Sequence, residues 1–466
     1  MTSKTEQVST PGAAAPRIMS SDYLWITIGA CALVFLGAFE SLAVTTVMPT
    51  VSADLGGERL YALAFAGPLA TGVIGMVIAG NWADRRGPVA PLYTAVAMFI
   101  VGLLIAGLAP NMEVLVAGRF AQGLGSGGLM VALYVVVARV YPQELHPAIF
   151  AGFAAAWVIP SLIGPTVAGA VTELWSWHWV FLGVVILVLL ALLMVVPALR
   201  GLANEGDPST PWAFARLGWS VLAAVAVLAL NLVGDIPGVG PALAVVAVVV
   251  ALIAVRPLVP RGTLRARRGL PSVILVRGVA AAAFFGAQVY LPYLLTDRYE
   301  LSPTLAGLSL TGGALAWSLA ATVQGRMGAR LSSVTAVRMG TVLVLVGILL
   351  TVATAGFRWD ALMVAVAWAI AGVGMGLMSP RTSALTLAMS TPESQGFNSG
   401  AMTVADSFGS AMALAVTGTL FTALAGSDPF LGVFVLAAVV AFAAAALAPR
   451  IGLDAVGAET PGESAG

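Results

Sequence analysis

The sequence predicts an all-α polytopic membrane protein of about fourteen spanning helices. Three observations carry that prediction. Of its 466 residues, 59% are hydrophobic and 9% are charged, where an ordinary soluble domain has about 25% charged. The mean hydropathy is +0.98, more apolar surface than a soluble core can hide. Apolar runs of about 20 residues, the length a helix needs to cross the hydrocarbon layer, follow one another almost end to end. Only short polar or Gly/Pro clusters interrupt them.

Residues 1–22 are rich in Ser, Thr, Ala and Pro and lack a short apolar core followed by a cleavage site. They read as a disordered cytoplasmic tail rather than a signal peptide. Spans are then expected near 24–48, 60–80, 89–108, 112–138, 147–171 and 178–198, a six-helix half occupying 23–199. Segment 200–270 holds two inserted spans, near 216–234 and 239–256, and a basic cytoplasmic loop. These two runs are barely long enough to cross, and the short turn Gly234-Asp235-Ile236-Pro237-Gly238 between them would also suit a re-entrant hairpin. A second six-helix half occupies 271–449, with spans near 272–296, 305–325, 335–356, 360–383, 398–424 and 429–448; residues 450–466 form a second cytoplasmic tail.

Positive charge tests this register, because cytoplasmic loops are enriched in Lys and Arg. With the N-terminus inside, only Arg59, Arg298 and Arg358 fall in outer segments and Arg119 and Arg277 fall within spans. The rest of the 22 basic residues fall in inner segments. The Arg-rich stretch from Arg256 to Arg268 reads most simply as an anchor on anionic headgroups, with a lipid-regulatory role as the alternative. A weak internal echo, Gly80 to Gly87 after the second span and Gly325 to Arg330 after the tenth, suggests repeated halves.

Several function classes are excluded. The net charge is +1 and basic residues are scattered, which argues against nucleic-acid binding. Cys31 is the single cysteine and lies in an apolar run; His146 and His178 lie in different segments, so no metal cluster is expected. Lys4 in the tail is the only lysine, which removes a phosphate-cradling GxxxxGK[ST] loop and ATP hydrolysis by that route. No nucleophile with a base and no exposed domain support an enzyme or a receptor.

Ionisable groups inside spans cost several kcal/mol when unpaired, so each needs a reason. Glu40 precedes Pro49 at the outer end of the first span and Arg119 follows Met112 at the outer end of the fourth, which places both roughly 10–14 Å below the outer surface. A carboxylate and a guanidinium at one depth can neutralise each other, and such an acid can exchange a proton. Glu40 is the expected proton-exchanging or cation-binding group with Arg119 modulating it; the alternative is a static ion pair. Asp406, in the thirteenth span, finds no partner at its depth in this reading.

These residues fall in segments that resemble signatures of the major facilitator superfamily. Gly80-Asn81-Trp82-Ala83-Asp84-Arg85-Arg86-Gly87 resembles its GxxxDRxG loop between helices 2 and 3, and Arg119-Phe120-Ala121-Gln122-Gly123 its RxxQG pattern in helix 4. Gly164-Pro165, followed by Gly169, is similar to the GPxxGG pattern of drug/proton antiporters, with one of its two final glycines. Glu40 to Pro49 resembles the helix 1 pattern LDxTIVNVALP of the fourteen-helix drug/proton antiporter branch, with Leu42, Thr45 and Thr46 as departures. That branch often carries Arg in helix 13 where this chain has Asp406 before Phe408-Gly409, which points to a different preference such as cationic substrates.

The resemblance implies the major facilitator fold, two six-helix halves with two extra helices between them, and a conformational latch at Gly80, Asp84, Arg85 and Gly87. On physical grounds Gly80 and Gly87 let helix ends approach, and Gly164-Pro165 breaks helix 5 into a flexible or merely kinked element. Trp175, Trp177 and Trp179 read as an interfacial belt. Phe284, Gln288, Tyr290 and Tyr293 are expected to line the substrate path, Gln288 being polar on an apolar face. The function these expectations favour is proton-driven efflux of amphipathic drugs or toxic small molecules across the cell membrane. It needs no cofactor beyond a proton gradient, and its partners are the bilayer, the substrate and protons. A lipid or metabolite exporter of the same fold is the alternative.

Overall fold

The computed structural model describes residues 18–452 except 22, 143–144, 200–208, 210, 234–238, 328–329, 392–393 and 425. The two tails and the turn between the seventh and eighth runs therefore lie wholly or largely outside the described residues. Elsewhere the chain is helical, and among the described residues no strand occurs. This is what a bilayer demands, since a spanning segment must satisfy its backbone N–H and C=O groups internally.

The first set of helices is α1 (Leu24–Asp54), α2 (Tyr61–Arg86), α3 (Val89–Gly107), α4 (Met112–Val140), α5 (His146–Leu174) and α6 (His178–Leu199). Next come α7 (Phe214–Val233) and α8 (Gly240–Val255), then α9 (Leu270–Gln288) and α10 (Tyr290–Asp297). The chain continues with α11 (Pro303–Met327), α12 (Ser333–Phe357), α13 (Leu362–Ala388), α14 (Gln395–Ala423) and α15 (Pro429–Leu447). Among the described residues 12 helical segments are long and apolar enough to cross a membrane, α9 and α10 counting together, while α7 and α8 contribute shorter apolar stretches. At 1.5 Å per residue, α8 is about 24 Å long against a hydrocarbon layer of about 30 Å.

The run near 272–296, expected as one span, is divided at Val289. Pro292 has no N–H to donate to the Gln288 carbonyl, and the Tyr61 hydroxyl donates to the Val289 carbonyl at 2.8 Å. A residue 228 positions away is thus bonded to the chain at the point where the helix divides.

Packing repeats between the two sets. α1 packs on α5 and α6, α2 and α3 pack on α4, and α3 packs on α6; α9 packs on α14 and α15, α11 and α12 pack on α13, and α12 packs on α15. Substituting α9 for α1, α11 for α2 and α12–α15 for α3–α6 turns one pattern into the other. The detail repeats as well: a Cβ on Gly127 would lie 2.1 Å from the Gly72 carbonyl oxygen, and one on Gly372 would lie 2.2 Å from that of Gly313. Close backbone approach at small residues is how helices associate where lipid offers no hydrophobic driving force. The sets meet through α5 on α11 and α2 on α14, contacts that the same exchange interconverts, and α7 lies against α2 and α14.

Candidate functional site

Arg119 lies two turns into α4, a helix started by Asn111, whose side chain accepts the Val114 N–H at 2.9 Å. Its guanidinium reaches three helices. Nε donates to the Ala64 carbonyl of α2 at 3.1 Å, and Nη1 donates to Glu40 of α1 and to Gln122 Oε1 on α4 itself at 3.0 Å. Glu40 and Arg119 are each 5% exposed. A lone charge so buried would cost several kcal/mol, so the pairing and the extra acceptors make the site tenable. Gln122 Nε2 finds no acceptor among the described residues. Gly123 completes the local geometry: a Cβ there would fall 2.3 Å from the Pro68 carbonyl oxygen, so α4 and α2 are in backbone contact beside the ion pair.

On the arginine-rich face the loop after α2 behaves differently from expectation in part. Gly87 has φ +78°, a conformation that glycine supplies at no steric cost. Gly80 has room for a Cβ at 3.6 Å from Val131 and is not sterically required. Asp84 interacts with the charge of Arg139 at the end of α4, whereas the Arg85 guanidinium sits 5.2 Å over the Trp212 ring. Asn81, which the sequence did not single out, accepts the Ala213 N–H and donates to the Pro211 carbonyl, so the segment leading into α7 is clamped to this loop.

Gly164-Pro165 does not break α5, which runs through both Pro160 and Pro165. What the segment does instead is receive α11. A Cβ on Gly169 would lie 2.8 Å from Thr304 Cα, and one on Gly307 would lie 2.7 Å from the Pro165 carbonyl oxygen, whereas Gly164 meets only ordinary contacts. Thr166 and Thr311 hydroxyls are 3.5 Å apart, and the Thr304 N–H donates to Glu173 Oε1 at 3.0 Å. These contacts close the arginine-poor face between the two sets.

The same face is sealed by aromatic rings. Tyr61 lies 5.7 Å from Tyr290 and 5.0 Å from Tyr293, and both of those tyrosines pack on Phe421. Phe284 stacks on Trp368 at 4.4 Å and meets Phe285 and Trp317 edge-on. Phe284, Gln288 and Tyr290 are buried and Tyr293 is half-buried, so in this arrangement they belong to a packed seam. Of the tryptophans assigned to an interfacial belt, Trp175 and Trp179 are exposed, but Trp177 is buried and its indole N–H donates to Asp54 at 2.9 Å.

Asp406 does have a partner, contrary to the sequence reading. Arg277 Nε of α9 donates to both of its carboxylate oxygens at 2.8 and 2.9 Å, and Nη1 donates to Thr382 at 3.4 Å. The side chains keep 15% and 25% exposure, so this second pair is less enclosed than the first. Both residues start from helix ends on the arginine-rich face, which is the depth signal that could have joined them. Among the described residues no group of His, Cys, Asp and Glu could hold a metal ion.

Comparison with known proteins agrees with this architecture. The sequence model of the Major Facilitator Superfamily matches residues 30–259. The multidrug efflux pump SdrM of Staphylococcus aureus is 26% identical over 309 residues, covering 63% of this chain and 67% of the pump. A probable multidrug-efflux transporter of Mycobacterium tuberculosis is 32% identical over 191 residues, covering 41% and 40%. An uncharacterized MFS-type transporter of Schizosaccharomyces pombe is 32% identical over 166 residues, and the match spans only 28% of that relative's length. The crystal structure of a POT family transporter in complex with 5-aminolevulinic acid superposes with a TM-score of 0.68 at 15% identity over 92% of this chain and 96% of the other, which shows a shared fold. The family match over residues 30–259 and these relatives liken the chain to membrane transporters of the major facilitator type, and the superposition shows the fold.

Proposed function

We propose that this chain is a major facilitator transporter, a proton-coupled exporter of amphipathic drugs or other toxic small molecules, working in the cytoplasmic membrane by alternating access between α1–α6 and α9–α15. The observation that carries the reading is the buried Glu40–Arg119 pair, which joins three helices beneath the face closed by the α5–α11 and tyrosine seams. Multidrug-efflux relatives support the substrate class. We place the arginine-rich face in the cytoplasm on the positive-inside bias. The seam then closes the outside, the chain termini are cytoplasmic, and α7 and α8 complete fourteen spans of the drug/proton antiporter branch.

In the cycle we envisage, substrate loads from the inside in the present arrangement. Once the seam has opened outward and released it, an external proton bonds to a Glu40 carboxylate oxygen. The acid becomes neutral and Arg119 keeps only Ala64 and Gln122 as acceptors. Because the pair holds α1, α2 and α4 together, its loss biases the equilibrium between the two arrangements by the difference in their pairing energies. Loss of the proton to the cytoplasm restores the pair. Asp406 with Arg277 is a second candidate for coupling, and Phe284, Gln288, Tyr290 and Tyr293 become the substrate-lining surface as the seam separates. The loop residues Gly80, Asp84, Arg85 and Gly87 act as the latch on the cytoplasmic face. No nucleotide or cofactor takes part.

The test is reconstitution into liposomes with a fluorescent lipophilic cation. Accumulation driven by an imposed proton gradient, abolished when the gradient is collapsed, is the expected result. Gradient-independent movement of lipid with no movement of the dye would replace drug efflux by lipid export.

A further inference from the structure

We propose that a cleft on the flank of the second helix set, between α8, α9, α14 and α15, binds one anionic phospholipid, independently of what the chain transports. The cleft encloses about 320 Å³ with an almost wholly apolar wall. Ile274, Gly278, Ala282 and Gly286 recur every four residues along its α9 wall and form one stripe about 18 Å long. That length matches one leaflet of the hydrocarbon layer, about 15 Å deep. α14 packs against this stripe at Gly278 and Gly286, and its Phe408, Met412 and Val416 continue the floor of the cleft.

At its arginine-rich end the cleft does not close. Val259, Thr263 and Leu264 belong equally to a second cleft of about 770 Å³, which is lined by Arg216, Arg256, Arg261, Arg265 and Arg267. An acyl-chain slot therefore runs directly into a basic pocket. Among the described residues no carboxylate forms a salt bridge with any of these arginines, although Arg216 also stacks on Phe397 at 5.2 Å.

The segment that carries the arginines is built rather than loose. Gly262 and Ala266 take positive φ values of 93° and 50°, the Thr263 hydroxyl donates to the Pro260 carbonyl at 2.8 Å, and the Ser272 hydroxyl donates to the Arg267 carbonyl at 2.6 Å. The Gly269 N–H donates to the Arg450 carbonyl at 3.2 Å, tying the segment to the end of the second set. Guanidinium groups carried on a backbone held this way suit a phosphodiester, which they can bond through paired N–H groups. Basic pockets between spanning helices are where anionic headgroups bind. Free phosphate would use only the basic end, and the continuous apolar slot is what selects a lipid.

The experiment is native mass spectrometry of the purified full chain with equimolar dioleoyl phosphatidylglycerol and dioleoyl phosphatidylcholine. One phosphatidylglycerol retained in preference to phosphatidylcholine is expected. Each arginine near such a headgroup contributes about five-fold in affinity, so Arg261→Gln with Arg265→Gln weakens phosphatidylglycerol binding roughly 25-fold. Ala282→Trp, which fills the slot, removes bound lipid while the arginines remain. The pair Arg326→Gln and Arg330→Gln, outside both clefts, leaves retention unchanged, and an unaltered melting temperature shows that each variant is folded. Equal retention of the two lipids, an equal loss in the control pair, or displacement of the lipid by inorganic phosphate with no effect of Ala282→Trp overturns the proposal.

Discussion

Arg119 serves acceptors on three helices, so its removal does more than delete one bond. Arg119→Ala leaves Glu40 charged and buried, a situation that costs about 3–5 kcal/mol. The expected outcome is a large fall in thermal stability in detergent, partly restored when Glu40→Gln is added, because a neutral amide needs no counter-charge. A static strut and a proton-exchanging pair give the same stability result, and transport separates them. Asp428 gives a contrasting case outside the spans. Burial alone would raise its carboxyl, but hydrogen bonds from Arg298 and the Leu431 N–H, with the charges of Arg298 and Arg358, outweigh burial and hold it below the usual range. Its stabilisation is therefore complete above the unfolded carboxylate value near 4 and is lost as pH falls through the lower folded value. Asp428→Asn should lower the melting temperature at pH 7, with the difference from wild type shrinking toward zero as pH falls through the lowered folded value.

At the scale of elements, the decisive contact is α5 on α11. Gly169→Val puts a Cβ where Thr304 Cα already lies at 2.8 Å, so the arginine-poor face should close poorly. With Cys31→Ser as background, paired cysteines Glu173→Cys and Thr304→Cys should cross-link readily and halt transport, and Gly169→Val should lower the cross-linking yield several-fold. Persistence of full cross-linking in that variant would show that the seam does not depend on backbone proximity. Much of this architecture was legible in the sequence, because a run of apolar residues long enough to span and the arginine bias of its flanks are local properties. What escaped was non-local. The bond from Tyr61 to the Val289 carbonyl joins the two sets, the partner of Asp406 needs α9 and α14 to be neighbours, and the clamp of Asn81 on Ala213 needs the inserted helices to return to α2. Gly164 and Gly169 look alike in a motif, and only the position of α11 distinguishes the one that is sterically required.

For the whole molecule, the exchange that maps α1–α6 onto the second set also maps the α5–α11 contact onto α2–α14. Two halves related in this way can rock about a shared seam with little change inside each half, which is the motion alternating access requires. The buried charge pairs break that symmetry, since Glu40 and Arg119 sit on α1 and α4 while Arg277 and Asp406 sit on α9 and α14. Only the first pair lies within a turn of Tyr61 and is almost wholly enclosed. Under the proposed cycle Glu40 carries the coupling first, and Arg277→Gln with Asp406→Asn should lower the rate of gradient-driven transport by less than about ten-fold, read in the same liposomes. The most direct measurement compares wild type with Glu40→Gln in two modes: proton-driven accumulation of a lipophilic cation, and exchange of labelled for unlabelled cation with no gradient. Retained exchange with accumulation lost is the predicted result, whereas accumulation at the wild-type level in Glu40→Gln would contradict the coupling role of Glu40.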